Sequence, residues 1–504
     1  MADPGLREPA VRPMALGDVV RRLKRAGLLV ESTSEPATLS GVSDDSRNVQ
    51  AGDLFCAWTG TDTDAHEYVA AAAEAGAAAA LVEHKVAAAV PQIVVSDGRR
   101  AAAVAASLLL GDPAEGKQLV GVTGTNGKTT TVWVLRHLLA GRCPAASVGT
   151  LGVQLPDGSM VENRGSVTTP GPVELVGALR AAQEAGAEVL ALEASSHALD
   201  QGRLSALTFD VVVFTSFTRD HLDYHGTEEA YLAAKLSLAD ALKADGALVL
   251  NAQEPAWSAL ADRAERVLSF AVENGTTTPE TARSQVRARQ VTLGVDGAEF
   301  ELVTPFGGAS VVLPLLGRHN VQNALGAVAA GLGLGFEVTE LASRLATVPQ
   351  VPGRLERVAE RPCPILTDYA HTPDALVRVL EAMRPLVRGR LIVVFGAGGD
   401  RDRGKRPQMG AAVARLADVA LVTSDNPRTE TPESIIDDVV AGMPGSPIRI
   451  ADRRAAIAQA LEMAGPDDMV LLAGKGHEMY QVVGTERRPF DERAIVRDLT
   501  EGSA

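Results

Sequence analysis

The sequence is short of cysteine, of positive charge and of long apolar runs. Its 504 residues include three cysteines, Cys56, Cys143 and Cys363, far apart and without a CxxC pairing. That argues against a disulfide-built fold, and the three read as core thiols of a reducing compartment. Acidic residues outnumber basic ones, 63 to 48, for a formal net charge of −15, which disfavours non-specific nucleic-acid binding. It does not exclude anionic substrates, which a few local cations and helix N-termini can bind. No window approaches the roughly 18 uninterrupted apolar residues of a membrane span, so membrane insertion is not expected. Met1–Pro13 carries charges of both signs and early prolines in place of an apolar signal core, which points to a cytoplasmic protein.

What is present is the composition of a soluble globular protein, 46% hydrophobic and 22% charged. A chain of this length exceeds one ordinary core. Three segments with different grammar are expected, at 1–117, 118–351 and 352–504. In the first, Leu54–Trp58 suits a strand, His66–Val82 a helix that includes the alanine run Ala70–Ala80, and Arg99–Leu110 another helix. The second opens on the buried-strand pattern QLVGVTG. It continues through the apolar runs Ala187–Leu192, Asp210–Phe214 and Ala247–Leu250, then a β-rich stretch over Val286–Leu313. Asn274–Thr281 reads as a surface loop. The third has strands expected at Ile365–Asp368, Leu391–Phe395, Val419–Thr423 and Met469–Ala473. This alternation of strand and helix predicts an α/β fold: a mixed α/β N-terminal domain, a central doubly wound P-loop domain and a Rossmann-like C-terminal domain.

The most informative stretch is GVTGTNGKTTT, Gly121–Thr131, set between a strand and an apolar-periodic helix. Gly124 and Gly127 permit close approach of backbone amides to phosphate. Lys128 supplies a cation, Thr129 a hydroxyl for Mg²⁺, and the helix start a partial positive charge. Thr125, Asn126 and Thr130 complete the expected phosphate-binding loop. The general pattern wants glycine at 122, where this chain has Val122. The loop by itself indicates a nucleotide and leaves the reaction open.

TGTNGKTT is similar to the loop of the Mur ligases and of folylpolyglutamate synthetase. LEASSHALDQGRL (192–204), FTRDHLDYHG (217–226), YLAAKLSLAD (231–240), GRHNVQNALGAVAA, VPGRLERV and DYAHTPDAL resemble Mur ligase motifs in the same order. The resemblance spans Asp45 to about Asp491. It implies an ATP-dependent amide-bond ligase that activates a carboxylate as an acyl phosphate, a step that rests on positioning and charge neutralisation. By resemblance, Lys128, Glu193, His221 and Lys235 form the catalytic set. Thr129, Glu193, His221 and a carbamylated Lys235 (N6-carboxylysine) would hold magnesium, with two ions expected. His225 has no such match and reads as a local hydrogen-bonding residue.

The resemblance further places Asn320, Asn323, Arg354, Asp368 and His371 at ATP. Ser46, Thr61, Asp62, Thr168, Thr169, Ser195, Gln201 and Arg203 would hold a UDP-linked muramoyl dipeptide; a guanidinium such as that of Arg203 matches phosphate oxygens. SDNPRTETPE resembles the signature of enzymes that add meso-diaminopimelate, whose second carboxylate lysine lacks. Asp425, Asn426, Pro427 and Arg428, with Arg401, Gly474 and Glu478, would form that pocket, Arg428 gripping a carboxylate and repelling the lysine ammonium. A monomer is expected. The alternatives are a lysine-adding ligase, a folylpolyglutamate synthetase, or a catalytically retired nucleotide-binding partner of the cell-wall machinery.

Overall fold

A computed structural model describes residues 7–33, 35–60, 63–163, 167–273, 283–445 and 447–501. The expected loop Asn274–Thr281 and the candidates Thr61 and Asp62 lie outside the described residues. The chain divides into two compact units: Met1–Arg289 with Glu301–Ala309 and Gln322–Arg344, and Gln290–Phe300 with Ser310–Val321 and Leu345–Ala504.

The first unit holds two sheets. The N-terminal one has six strands in the order Arg7–Ala15, Thr38–Ser43, Asp53–Cys56, Ala79–Val82, Gln92–Val95 and Leu29–Ser32. Its inner strands are parallel and its two outer pairings antiparallel. The helix expected over His66–Val82 is shorter than the sequence implied. A 3₁₀ turn at Ala65–Tyr68 leads into a helix over Val69–Glu74, and Ala79–Val82 is a fully buried strand. Gly76, at φ +102°, ends the helix in a conformation that alanine resists. An alanine run carries no period that would separate helix from buried strand. Val173 and Val176 of the helix Pro172–Glu184 pack into the same core as Leu54, Leu81 and Ile93.

The central sheet of this unit runs Ala145–Gly149, Val189–Glu193, Gln118–Thr123, Phe209–Phe214, Leu242–Asn251 and Arg266–Val272, all parallel. Val189–Glu193 and Gln118–Thr123 lie side by side at its centre, with Glu193 opposite Val122. Leu190, Leu192, Val212, Phe214, Leu248 and Trp257 form much of the core on one face. Polar residues gather where these strands end, as open parallel sheets dictate. The β-rich stretch expected over Val286–Leu313 is a run of three strands, through which the division between the units passes.

The second unit has a sheet ordered Glu356–Ala359, Ile365–Asp368, Met469–Ala473, Leu391–Phe395, Val419–Val422 and Ile448–Arg449, parallel except at its first pairing. Three of its four expected strands appear with the predicted limits, and Val419–Val422 falls one residue short. Cys56 and Cys363 are buried thiols as expected; Cys143, just beyond the helix Lys128–Leu139, is only half-buried and is not a core residue. Among the described residues no helix is long and apolar enough to cross a membrane.

Candidate active site

The strand Gln118–Thr123 delivers the chain into a tight loop, and the helix Lys128–Leu139 begins from Gly127 at φ +87°. A side chain on Gly127 would strike the Asn323 amide oxygen, so glycine is what lets Asn323 lie against the loop. The loop is tied to the end of the neighbouring strand. Thr125 donates its amide to the Ser216 carbonyl (2.6 Å), Asn126 its amide to Ser216 Oγ (3.1 Å), and Thr215 Oγ1 donates to the Asn126 carbonyl (2.7 Å). Thr130 is buried in the first turn of the helix. The start of the helix at Lys128 carries the partial positive charge that attracts phosphate.

Two amines meet on one carbonyl here. Lys128 Nζ and Lys235 Nζ each donate to the Gly124 carbonyl oxygen at 2.8 Å. Lys235, on the helix Glu228–Leu236, is 1% exposed and lies 4.5 Å from the Tyr231 ring centroid. Burial first, and the Lys128 charge second, hold its pKa well below the usual lysine value. Among the described residues no salt bridge holds Lys235, and its buried Nζ does not reach solvent as a snorkelling amine would. Its amine is enclosed and disposed to be neutral.

Glu193 ends its strand 2% exposed. It accepts Thr129 Oγ1 at 3.0 Å, the Thr150 amide at 2.8 Å and Thr150 Oγ1 at 3.2 Å. Thr150 was not singled out from the sequence; it follows the strand Ala145–Gly149, and only the parallel register brings it here. His221 takes the left-handed conformation (φ 53°) at the start of a short helix, with its ring 4.8 Å from that of His197. Burial lowers the pKa of His221, and of His197 to about 4, so both rings are neutral at pH 7. His225 is not the hydrogen-bonding residue expected: it packs against Tyr224 and Tyr231, and its Nε2 has no hydrogen-bond partner among the described residues. Thr129 Oγ1 and the Glu193 carboxylate offer the hard oxygen donors that suit a magnesium ion.

Thr169, Ser195, Gln201 and Arg203 form one network. Thr169 Oγ1 donates to the Glu193 carbonyl (2.7 Å) and accepts the Ser195 amide (3.0 Å). Arg203 donates to the Thr169 carbonyl (2.6 Å) and, through Nε and Nη2, to Gln201 Oε1 (3.0 and 2.7 Å). Tyr224, missed in the sequence, accepts from Gln201 and donates to Asp200. Thr168 is half-buried beside Thr169. Ser46 opens a 3₁₀ turn capped by Asp45, in the N-terminal part of the same unit.

The other candidates belong to the second unit. Asn320 is buried and donates to the Leu316 carbonyl (2.8 Å). Asp368 accepts the Leu355 and Ala370 amides at 2.7 and 2.8 Å, and burial raises its pKa despite Arg354. Arg354 lies over the Tyr369 ring, and His371 bonds the Tyr369 carbonyl at 2.7 Å. Asn426 and Glu478 are joined directly, Nδ2 to Oε2 at 2.9 Å. Lys475, another residue the sequence reading passed over, is fully buried between them: its Nζ reaches Asn426 Oδ1 and Glu478 Oε2 at 3.1 Å each, and Asp425 at 3.4 Å. Arg428 sits at φ 50° with Nη1 donated to the Gly399 carbonyl (2.7 Å). Pro427 is buried beside it. Arg401 is exposed on the same glycine-rich loop, and a side chain on Gly398 would lie between it and Arg428. Gly474 follows the strand Met469–Ala473 at φ 117°. One unit thus presents a phosphate loop with a carboxylate, and the other the Asn426–Lys475–Glu478 cluster and the turn that carries Arg428.

Three family profiles match in order: the Mur ligase family catalytic domain over 38–108, the Mur ligase middle domain over 122–331, and the Mur ligase glutamate ligase domain over 353–476. The chain belongs to the Mur ligase family. It is 43% identical, over 94% of its length and 96% of theirs, to a Gloeobacter violaceus protein named UDP-N-acetylmuramoyl-L-alanyl-D-glutamate–2,6-diaminopimelate ligase. A Synechococcus elongatus protein of the same name is 44% identical over 91% of this chain and 93% of its own. A solved structure of a ligase with that name superimposes with a TM-score of 0.67 at 32% identity, covering 98% of this chain and 99% of that one. A second Mur ligase structure, MurF from Acinetobacter baumannii, gives 0.67 at 20% identity over 98% of this chain and all of that one, a likeness of fold alone. The three-domain α/β architecture expected from the motifs is that of this family.

Proposed function

We propose that this chain is the ATP-dependent ligase that joins meso-2,6-diaminopimelate to UDP-N-acetylmuramoyl-L-alanyl-D-glutamate in peptidoglycan precursor synthesis. Near-full-length identity to relatives carrying that name supports the reading. The γ-phosphoryl of ATP passes to the glutamate side-chain carboxylate, giving an acyl phosphate and ADP. The amine of diaminopimelate then attacks the acyl carbon, the carbon–oxygen bond to phosphate breaks, and phosphate leaves with the amide formed.

Each step assigns work to residues already described. The loop from Gly124 to Thr130 grips the phosphates through its amides and the Lys128 ammonium. Asn320, Asn323, Arg354, Asp368 and His371 hold the rest of ATP. Thr129, Glu193 and His221 would hold magnesium, which neutralises phosphate charge as two anions approach. Carbamylation of Lys235 adds a carboxylate to that set. Its support is the doubly occupied Gly124 carbonyl: a neutral buried amine is the form that reacts with CO₂, and an anion there removes repulsion from Lys128. Ser46, Thr168, Thr169, Ser195, Gln201 and Arg203 hold the UDP-linked substrate, and the family resemblance adds Thr61 and Asp62 to that set.

What supports the choice of amino acid is the DNPR turn, which carries Arg428 two residues beyond Asn426, itself bonded to Glu478. Arg428, with Arg401 and Asn426, takes the distal carboxylate, and Glu478 an ammonium group; Asp425, Pro427 and Gly474 shape the walls. A lysine-adding ligase gains nothing from Arg428. The reading includes a monomeric, cytoplasmic enzyme without nucleic-acid or membrane partners. Phosphate release measured with an amino-acid panel tests it: release should require ATP, the UDP-muramoyl dipeptide and diaminopimelate together. Equal or faster turnover with L-lysine overturns the choice of amino acid.

A further inference from the structure

Arg428 does not hold its position alone. Its guanidinium bonds the Gly399 carbonyl, and Gly399 donates its amide to the Asn426 carbonyl at 2.9 Å. The glycine-rich loop 396–404 is therefore part of the frame on which the pocket arginine rests. A side chain on Gly399 would collide with the Pro427 carbonyl, so loop and turn meet backbone to backbone.

The fastening lies behind the pocket. Glu430 Oε1 accepts the Asp400 amide and Arg406 Nη2, both at 2.6 Å; its Oε2 accepts Arg403 Nη2 at 2.8 Å and Arg406 Nη1 at 3.0 Å. Arg406, whose side chain is fully enclosed, also donates to Asp438 (2.9 Å) and to the Gly398 carbonyl (3.2 Å). Asp400, a non-glycine residue at φ 52°, accepts Thr429 Oγ1 at 2.7 Å and the Thr429 amide at 3.2 Å. The bonds of Asp400 and Arg403 join the loop to the Arg428 turn, and those of Arg406, on the helix Lys405–Leu416, tie that helix to the turn, to the loop at Gly398 and to the helix Pro432–Val440.

An enclosed ion pair is weak evidence for stability, since apolar residues of the same volume often serve as well. Arg406 Nε, moreover, has no hydrogen-bond partner among the described residues, and a buried unpaired donor costs about 1–3 kcal/mol. A cluster tolerated at that cost is better explained by where it puts the loop. We propose that Arg406 and Glu430 are positioning residues for the amino-acid substrate: touching no substrate themselves, they lock the glycine loop to the turn and fix where Arg428 and Arg401 present their guanidinium groups to the distal carboxylate. The proposal rests on the reading of this pocket as the diaminopimelate site.

The test is steady-state kinetics of full-length Glu430→Gln, which keeps the shape and removes the charge. The KM for diaminopimelate should rise about tenfold or more, the KM for ATP should stay within about twofold, and preference for diaminopimelate over L-lysine should fall. A merely structural role would lower the melting temperature or the active fraction and leave that KM unmoved, which overturns the proposal. If Glu430→Gln does not fold, Thr429→Val decides: this exposed substitution removes one bond to Asp400, and the same KM should rise about threefold, while an unchanged value overturns the proposal. Wild type and Arg428→Ala are run alongside. If wild type prefers another amino acid, the pocket reading fails and the lock is judged on the KM for that one. If Arg428→Ala raises the diaminopimelate KM and Glu430→Gln does not, the lock alone fails.

Discussion

Individual residues in this chain carry charge states that their types do not announce. Asp44 is the clearest outside the catalytic set. Burial, then the nearby Asp45 and Glu174 carboxylates, push its pKa up from 3.8 to about 7, against a lowering from its own backbone hydrogen bond. A carboxyl whose folded pKa is raised holds its proton more tightly in the native state, so it destabilises the fold progressively as pH rises from about 4 to 7. Asp44→Asn should therefore leave the melting temperature unchanged near pH 4 and raise it at pH 8, with an upper bound of about 4 kcal/mol from the size of the shift. Thermal melts at the two pH values check this; equal effects at both would refute it. Lys235→Ala should lose at least about a hundredfold in kcat, and acetate or formate should restore part of it if a carbamate is the working group. Full activity without any added carboxylate would end the carbamate proposal.

At the scale of elements, the site depends on how strands hand the chain to helices. The phosphate loop needs Gly127 both for its left-handed backbone and for the space taken by Asn323. Gly127→Ala should raise the Kd for ADP at least about tenfold while the fold survives, measured by ADP titration beside circular dichroism. The helix bearing Lys235 starts from Thr227, whose Oγ1 accepts the Ala230 amide at 3.2 Å. Loss of that cap in Thr227→Ala should cost about 1 kcal/mol in denaturant unfolding. These elements were largely legible beforehand, because strands such as Leu391–Phe395 are apolar runs closed by glycine and polar residues. Ala65–Val82 was not, because alanine serves a short helix and a buried strand equally well. Thr150 and Lys475 were equally invisible: Thr150 reaches Glu193 only through parallel pairing, and a lysine beside glycines gives no sign that it will be fully enclosed.

For the whole molecule, the candidate machinery is divided between two compact units. The phosphate loop and Glu193 belong to one, and Arg354, Asp368 and Arg428 to the other. The motifs showed the order of the parts along the chain; they carried no information on which parts fold as one body. Two units need not unfold in a single transition. Calorimetry should show the UDP-linked substrate raising one transition, and diaminopimelate the other. A ligand present at about 100 times its Kd contributes about 2.7 kcal/mol to the unit that holds it. One cooperative transition that both ligands raise equally would contradict this. The pocket's contribution is read from Arg428→Ala, whose KM for diaminopimelate should rise at least about a hundredfold with the KM for ATP unchanged.

The left-handed backbone of Arg428 sets a direction for evolution at that position. Asparagine and glycine adopt φ near +50° more easily than arginine. Heat selection of a randomised codon 428, applied without growth or activity, should therefore enrich these two residues. The same clones would be the ones that fail to tell diaminopimelate from lysine. On the proposed reading of Arg428, selectivity is held against a standing thermodynamic pull, and a lineage released from the need to discriminate would drift toward a tougher, less choosy enzyme.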